Sequence, residues 1–236
     1  MDYHFRAALR RNSNVAIGRF AVLSLCAGFV FGIVSRAEAQ TPAKFLVTVP
    51  ATTVAGTAAS VTVTAADASD KVISSYAGTV KITSSDPQAV LPADAALKNG
   101  VGTFNVTLKK AGSSTITATD AAASSVTGVS GAVAVTHGVV HHLYVTIAPA
   151  STSGKPTKTA VSAKDVYNNT VLNYTGSVKV TSSDAAAVLP GDGPLTNGFG
   201  VFNITLNTVG SQTMTATDTA TPTLTGVSRP TTVAAP

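Results

Sequence analysis

Over most of this chain the apolar residues fall on every second position. Val61, Val63 and Ala65 form one such run; Val80 and Ile82, Phe104, Val106 and Leu108, and Ile116 and Ala118 form others, with threonine, serine or another polar residue mostly between them. A period of two describes a strand with one buried face and one wet face. The pattern predicts about seven short strands near residues 44–49, 60–67, 79–84, 88–91, 101–108, 113–119 and 129–135. Turn chemistry separates them. Asn99-Gly100 tolerates the positive φ of a tight hairpin, and Pro92 ends a strand where no ladder donor is available.

The same text is then written again. Tyr76-Ala-Gly-Thr-Val-Lys-Ile-Thr-Ser-Ser-Asp86 returns as Tyr174-Thr-Gly-Ser-Val-Lys-Val-Thr-Ser-Ser-Asp184, a shift of 98 residues. Ala89-Val-Leu-Pro92, Asn99-Gly100, Phe104-Asn-Val-Thr-Leu108, Thr117-Ala-Thr-Asp120 and Thr127-Gly-Val-Ser130 all recur at that shift, the second proline being Pro190 and the second turn Asn197-Gly198. A unit of this length is too long for a solenoid repeat and matches one immunoglobulin-type sandwich. The expected fold is therefore all-β: two tandem immunoglobulin-like β-sandwiches of about seven strands each. Their expected extents are residues 40–135 and 142–236, joined by a linker at 136–141 short enough to restrict the angle between them.

Residues 1–39 break the pattern. Arg6, Arg10, Arg11 and Arg19 precede an uncharged apolar run from Phe20 to Val34, and Ala37-Glu38-Ala39 follows. A basic head, a short apolar stretch and a small-x-small site describe a secretory signal peptide, cleaved after Ala39. The run is shorter than the roughly 20 residues a membrane helix needs, so no stable span is expected after cleavage. An uncleaved anchor and lipidation at Cys26 are the rival readings. The expected location is outside the cytoplasm: periplasm, cell surface or extracellular space.

Composition shifts once that segment is set aside. It holds five of the 16 basic residues, two of the 11 acidic ones and the only cysteine, which leaves a net charge of +2 and no disulfide. Scattered single lysines, with Lys109-Lys110 the only pair, do not make the clustered cationic footprint of a nucleic-acid binder. No nucleic-acid partner is expected, and a hydrophobic core must carry the stability.

Ser60-Val-Thr-Val-Thr-Ala-Ala-Asp67, Tyr76-Ala-Gly-Thr-Val80, Asn99-Gly-Val-Gly-Thr-Phe104 and Ala111-Gly-Ser-Ser-Thr-Ile-Thr-Ala-Thr-Asp120 resemble bacterial Ig-like repeats, the group found in invasin and intimin adhesins. In the second copy Asp165 and Tyr167-Asn-Asn169 resemble that group's Asp-x-x-Gly-Asn turn, with Asn168 in place of the glycine. The resemblance implies the sandwich fold and an exported structural or adhesive role, with a protein or glycan surface as partner. A carbohydrate-binding accessory protein and a subunit of a larger surface assembly are the alternatives.

Candidates for chemistry are few. His137, His141 and His142 cluster at the junction, but residues four apart on an extended segment stand about 13 Å from one another, so a metal would require the segment to fold back. Asp67, Asp120, Asp165 and Asp218 are the candidates for calcium at loop carboxylates, which would need six to eight converging oxygens; the alternative has each one capping a turn. A hydrolase needs a base beside its nucleophile, and after residue 39 the histidines are confined to the junction. No catalytic residue and no cofactor is expected. Tyr76 and Tyr174 read as packing residues, and Tyr144, Tyr167, Val171 and Leu172 as additions to the second core.

Overall fold

The computed structural model describes residues 40–236; the expected signal peptide and Cys26 lie outside the described residues. Among the described residues the regular structure is all strand. The first copy runs β1 (Lys44–Thr48), β2 (Thr52–Val54), β3 (Ala58–Ala66), β4 (Thr79–Ser84), β5 (Ala95–Ala96), β6 (Val101–Thr107), β7 (Gly112–Ser114), β8 (Ile116–Asp120), β9 (Thr127–Val129) and β10 (Val133–Thr136). The second repeats it as β11 (His142–Ile147), β12 (Ala150–Thr152), β13 (Pro156–Lys164), β14 (Ser177–Ser182), β15 (Gly193–Pro194), β16 (Phe199–Thr205), β17 (Gly210–Gln212), β18 (Met214–Asp218), β19 (Thr225–Val227) and β20 (Thr231–Ala234).

Ten segments make seven passes, because three passes change sheet partway. β1 pairs antiparallel with β3, while its continuation β2 lies parallel to β10. β8 sits between β4 and β9, and β7, one residue upstream, pairs with β10. One layer is thus β1-β3-β6; the other joins β5-β4-β8-β9 to β2-β10-β7. The second copy repeats this order strand for strand. Ser130 makes the change of direction between β9 and β10 tolerable. Its amide donates to the Ile116 carbonyl at 2.8 Å, and its hydroxyl accepts the Ile116 amide at 2.9 Å, so the ladder is kept through the bend. Ser228 does the same for Met214.

The alternating residues face inward as the pattern demands. Val61, Val63, Ala65, Val80, Ile82, Val106, Leu108, Ile116 and Ala118 are buried in one core, and Val161, Ala163, Val178, Val180, Ile204, Leu206, Met214 and Ala216 in another. The two cores share no residue. Thr159 occupies the place of Val61 and is fully buried; its hydroxyl donates to the Thr146 carbonyl at 3.0 Å, which removes the cost of burying it.

Some strand expectations change. Residues 88–91 form a single bridge, Val90 to Thr107, instead of a strand. Val90 and Leu91 stay exposed, and Pro92 cannot extend the pairing. The Asn99-Gly100 and Asn197-Gly198 turns are tight hairpins with φ of 52° and 76°, and 50° and 70°.

Candidate interaction surface

The two sandwiches meet through the loop between β13 and β14. Asp165 is fully buried there. Its Oδ1 accepts the amides of Tyr167 and Asn169 at 2.9 and 2.8 Å, which closes the loop on itself. Its Oδ2 accepts the Asn169 side-chain amide at 2.9 Å and the Gly138 amide at 2.9 Å, reaching the segment between the sandwiches. Asn168 takes the positive φ, 68°, that the turn requires. Asn169, so oriented, crosses to the first sandwich: its Nδ2 donates to the Lys109 carbonyl at 2.7 Å and its Oδ1 accepts the Ala111 amide at 2.8 Å.

Tyr167 completes the joint. Its ring packs against the first core, not the second, and lies over Gly56, where a Cβ would stand 2.5 Å from the ring. The Lys109 ammonium sits 5.5 Å from the ring centroid, a cation–π distance. Beside the joint runs a groove of about 550 Å³ between Ala111, Val135, His137, Asn169 and Leu172. The corresponding loop of the first copy has the same internal frame, with Asp67 accepting the amides of Ser69 and Lys71 at 2.8 and 3.0 Å. It carries Ser69 and Lys71 where the second has Tyr167 and Asn169.

The other carboxylates cap turns. Asp120 accepts the amides of Ala122 and Ala123 at 2.7 and 3.1 Å and the Tyr76 hydroxyl. Asp218 accepts those of Ala220 and Thr221 at 2.8 and 2.6 Å and the Tyr174 hydroxyl. Two further buried loop carboxylates, Asp86 and Asp184, tie the turn after β4 or β14 to the turn after β6 or β16. Asp86 accepts the amides of Gln88, Lys109 and Lys110; Asp184 accepts those of Ala186, Asn207 and Thr208 and the Thr208 hydroxyl. Their signal in the sequence was the repeated Ser-Ser-Asp. Among the described residues no three His, Cys, Asp or Glu side chains gather at a point where a metal could sit. His141 and His142 stand side by side, Nδ1 to Nδ1 3.4 Å, and His137 engages the Gly138 carbonyl at 2.9 Å.

These bonds set the charge states. Burial raises the Asp184 carboxyl, and the Thr208 hydroxyl with the Thr208, Asn207 and Ala186 amides outweighs it, bringing the group down to about 2. Asp86, Asp120, Asp165 and Asp218 also lie below 3.8, burial again being outweighed by hydrogen-bond donors. Burial and the aspartate partner both push Tyr76 and Tyr174 above 10.0. A carboxyl lowered by folding contributes stability that is complete above 3.8 and is lost as pH falls through its folded value. A tyrosine raised by folding contributes stability that is complete below 10.0 and is lost as pH rises further. Thermal midpoints across an acid-to-alkaline series should therefore hold a plateau between these values and fall on both sides. Tyr76→Phe and Tyr174→Phe should lower the plateau and flatten the alkaline fall; an unchanged alkaline limb would count against the pairs.

The residues expected in the second core divide. Val171 is buried there, Tyr167 belongs to the joint, and Tyr144 and Leu172 are exposed. Tyr144 points outward because Leu143 and Val145 take the inward side of β11. It shares a row with Ser162 and Phe199 across β11, β13 and β16, and Thr146, Ala160 and Val201 form the next row. Tyr144, Phe199 and Val201 are each about half exposed, at 51, 48 and 50%. Strand spacing puts the two aromatic residues about 10 Å apart across a floor of small side chains. Lys158 and Asn203 flank this face at one end, His142 and Lys164 at the other, with no carboxylate among its outward positions. The first copy carries Leu46, Thr64, Val101, Thr48, Thr62 and Thr103 at the six central positions. Two aromatic residues on the outer face of this sheet are thus found in the second sandwich and not in the first.

No protein-family model matches the chain, and no curated protein matches it. Solved structures similar to it include an Escherichia coli adhesin, FdeC, at 18% identity and TM-score 0.42, covering 83% of this chain and 65% of that one. The D00-D0 domain of intimin, at 12% identity and TM-score 0.43, covers 80% of this chain and 98% of that one. Invasin, described as a bacterial integrin-binding protein, has 18% identity and TM-score 0.35 over 79% of this chain and 39% of that one. The chain therefore spans less than two thirds of the FdeC and invasin structures.

Proposed function

We propose that this chain is an exported, non-enzymatic Ig-like repeat protein that works as a structural and adhesive module at a cell surface. In this reading residues 1–39 direct export, and the sandwiches at 40–135 and 142–236 present surface to a protein or glycan partner. One observation carries it: the Asp165–Asn169 joint, through which the second sandwich grips the first with side-chain and backbone bonds. Two domains that needed only to be connected could do with a flexible linker, which would leave their mutual angle free. A joint held by a buried carboxylate, an asparagine and a tyrosine keeps a binding face at a constant angle to its support. The outer face of β11-β13-β16 is the contact surface in this reading, since its aromatic residues are exposed and exposed polar or aromatic clusters are the usual currency of recognition.

The test is saturable binding of the protein to intact host or neighbouring cells, followed by glycan and protein arrays. Wild-type protein should bind with a dissociation constant in the micromolar range or tighter. The triple variant Tyr144→Leu, Phe199→Val, Val201→Thr, which installs first-copy residues, should lose at least tenfold in affinity with its thermal midpoint unchanged. Absence of saturable binding on every surface would contradict adhesion. Full binding by the variant would move the contact surface elsewhere.

A further inference from the structure

The joint has a receiving half and an inserting half, and the duplication copies the receiving half and only the carboxylate frame of the inserting one. In the first sandwich the receiving half is Gly56, the Lys109 carbonyl and the Ala111 amide. The Gly56 amide donates to the Leu108 carbonyl at 2.8 Å, and Asp86 holds the amides of Lys109 and Lys110. A shift of 98 residues carries this half onto Gly154, Asn207 and Val209. There the Gly154 amide donates to the Leu206 carbonyl at 2.9 Å, and Asp184 holds the amides of Asn207 and Thr208. The backbone matches as well, with φ of 85° at Gly56 and 74° at Gly154.

The difference lies in what faces it. A Cβ at Gly56 would run into the Tyr167 ring, whereas a Cβ at Gly154 meets nothing within 4 Å among the described residues. Val209 is exposed there. The Asn207 carbonyl accepts the Ser153 hydroxyl at 2.8 Å and keeps a second lone pair for another donor. The Lys109 ammonium has no counterpart, since Asn207 stands in its place.

We infer that this end of the second sandwich is a docking socket for a further Ig-like sandwich whose loop reads Asp-x-Tyr-x-Asn. The tyrosine lies over Gly154, and the asparagine amide bridges the Asn207 carbonyl and the Val209 amide. The chain's own first sandwich is not the occupant. Its loop reads Asp67-Ala-Ser-Asp-Lys71, so it lacks the ring, and a lysine ammonium has no acceptor to offer the Val209 amide. Identical copies therefore do not stack head to tail through this socket. A joint this small needs the high effective concentration of a tethered or pre-assembled partner, about millimolar for a short linker.

The test extends the full chain from Ala234 with a second copy of residues 137–236, on a Cys26→Ser background. Spin labels are placed through Lys179→Cys in the second sandwich and in the appended one. Lys81→Cys with Lys179→Cys in the original chain gives the benchmark. Double electron–electron resonance should return a distance distribution for the appended pair as narrow as the benchmark. Tyr167→Ser with Asn169→Lys in the appended copy, residues with which the first sandwich folds, should broaden it severalfold. A broad distribution with the native loop would overturn the socket. So would a narrow one with both loops, since the linker alone would then fix the angle.

Discussion

Asp165→Ala will lower the stability of the second sandwich by about 3 kcal/mol and free its angle to the first. The alanine leaves the amides of Gly138, Tyr167 and Asn169 and the Asn169 side chain without their acceptor. Each unmet buried donor costs about 1–3 kcal/mol, less where water enters the opened loop. Asp67→Ala is the internal comparison. Asp67 accepts only two amides, in an exposed turn, so its loss should cost about 1 kcal/mol or less. Urea unfolding of the two variants checks the difference, and equal losses would mean that Asp165 does no more than cap its own loop.

Gly226→Ala and Gly128→Ala should each cost about 3 kcal/mol or prevent the affected sandwich from folding. These glycines lie on β19 and β9 where the edge of one layer crosses β11 or β1 of the other. A Cβ would stand 1.8 Å from the Leu143 carbonyl oxygen at Gly226 and 1.9 Å from the Phe45 carbonyl oxygen at Gly128. Both obstacles are backbone in a paired strand, which cannot turn aside as a side chain can. Gly131→Ala and Gly191→Ala meet nothing within 4 Å among the described residues and should change stability by about 0.5 kcal/mol or less. Thermal midpoints of the four variants would show it; tolerance of alanine at Gly226 would contradict the close approach of the layers.

Period-two apolar spacing was enough to read the two cores, because burial on one face of a strand leaves no other pattern. Register at the same shift across the duplication gave the pair of sandwiches. The sheet changes were harder. Nothing in Ile116, Ser130 or their neighbours announces that a serine hydroxyl will stand in for a ladder partner, so 113–119 and 129–135 read as single strands. Tyr144 reads as an addition to the second core, although the parity set by Leu143 and Val145 sends it outward. The joint was the least legible part. It depends on Asn169 meeting Lys109 and Ala111, and on Tyr167 reaching Gly56, contacts that no local pattern encodes. The visible traces were the short linker, the Asp165 to Asn169 turn and a difference inside the repeat, Ser69 and Lys71 against Tyr167 and Asn169. Similarity between copies reveals a shared fold, and it is the departures from similarity that locate what one copy does alone.

Residual dipolar couplings measured on backbone amides of the intact protein in a weakly aligning medium test the central claim most directly. If the buried carboxylate, asparagine and tyrosine clamp the sandwiches together, couplings from both will fit one alignment tensor, and Tyr167→Ser with Asn169→Lys will split them into two. Two tensors of different magnitude in the unaltered protein would contradict the account.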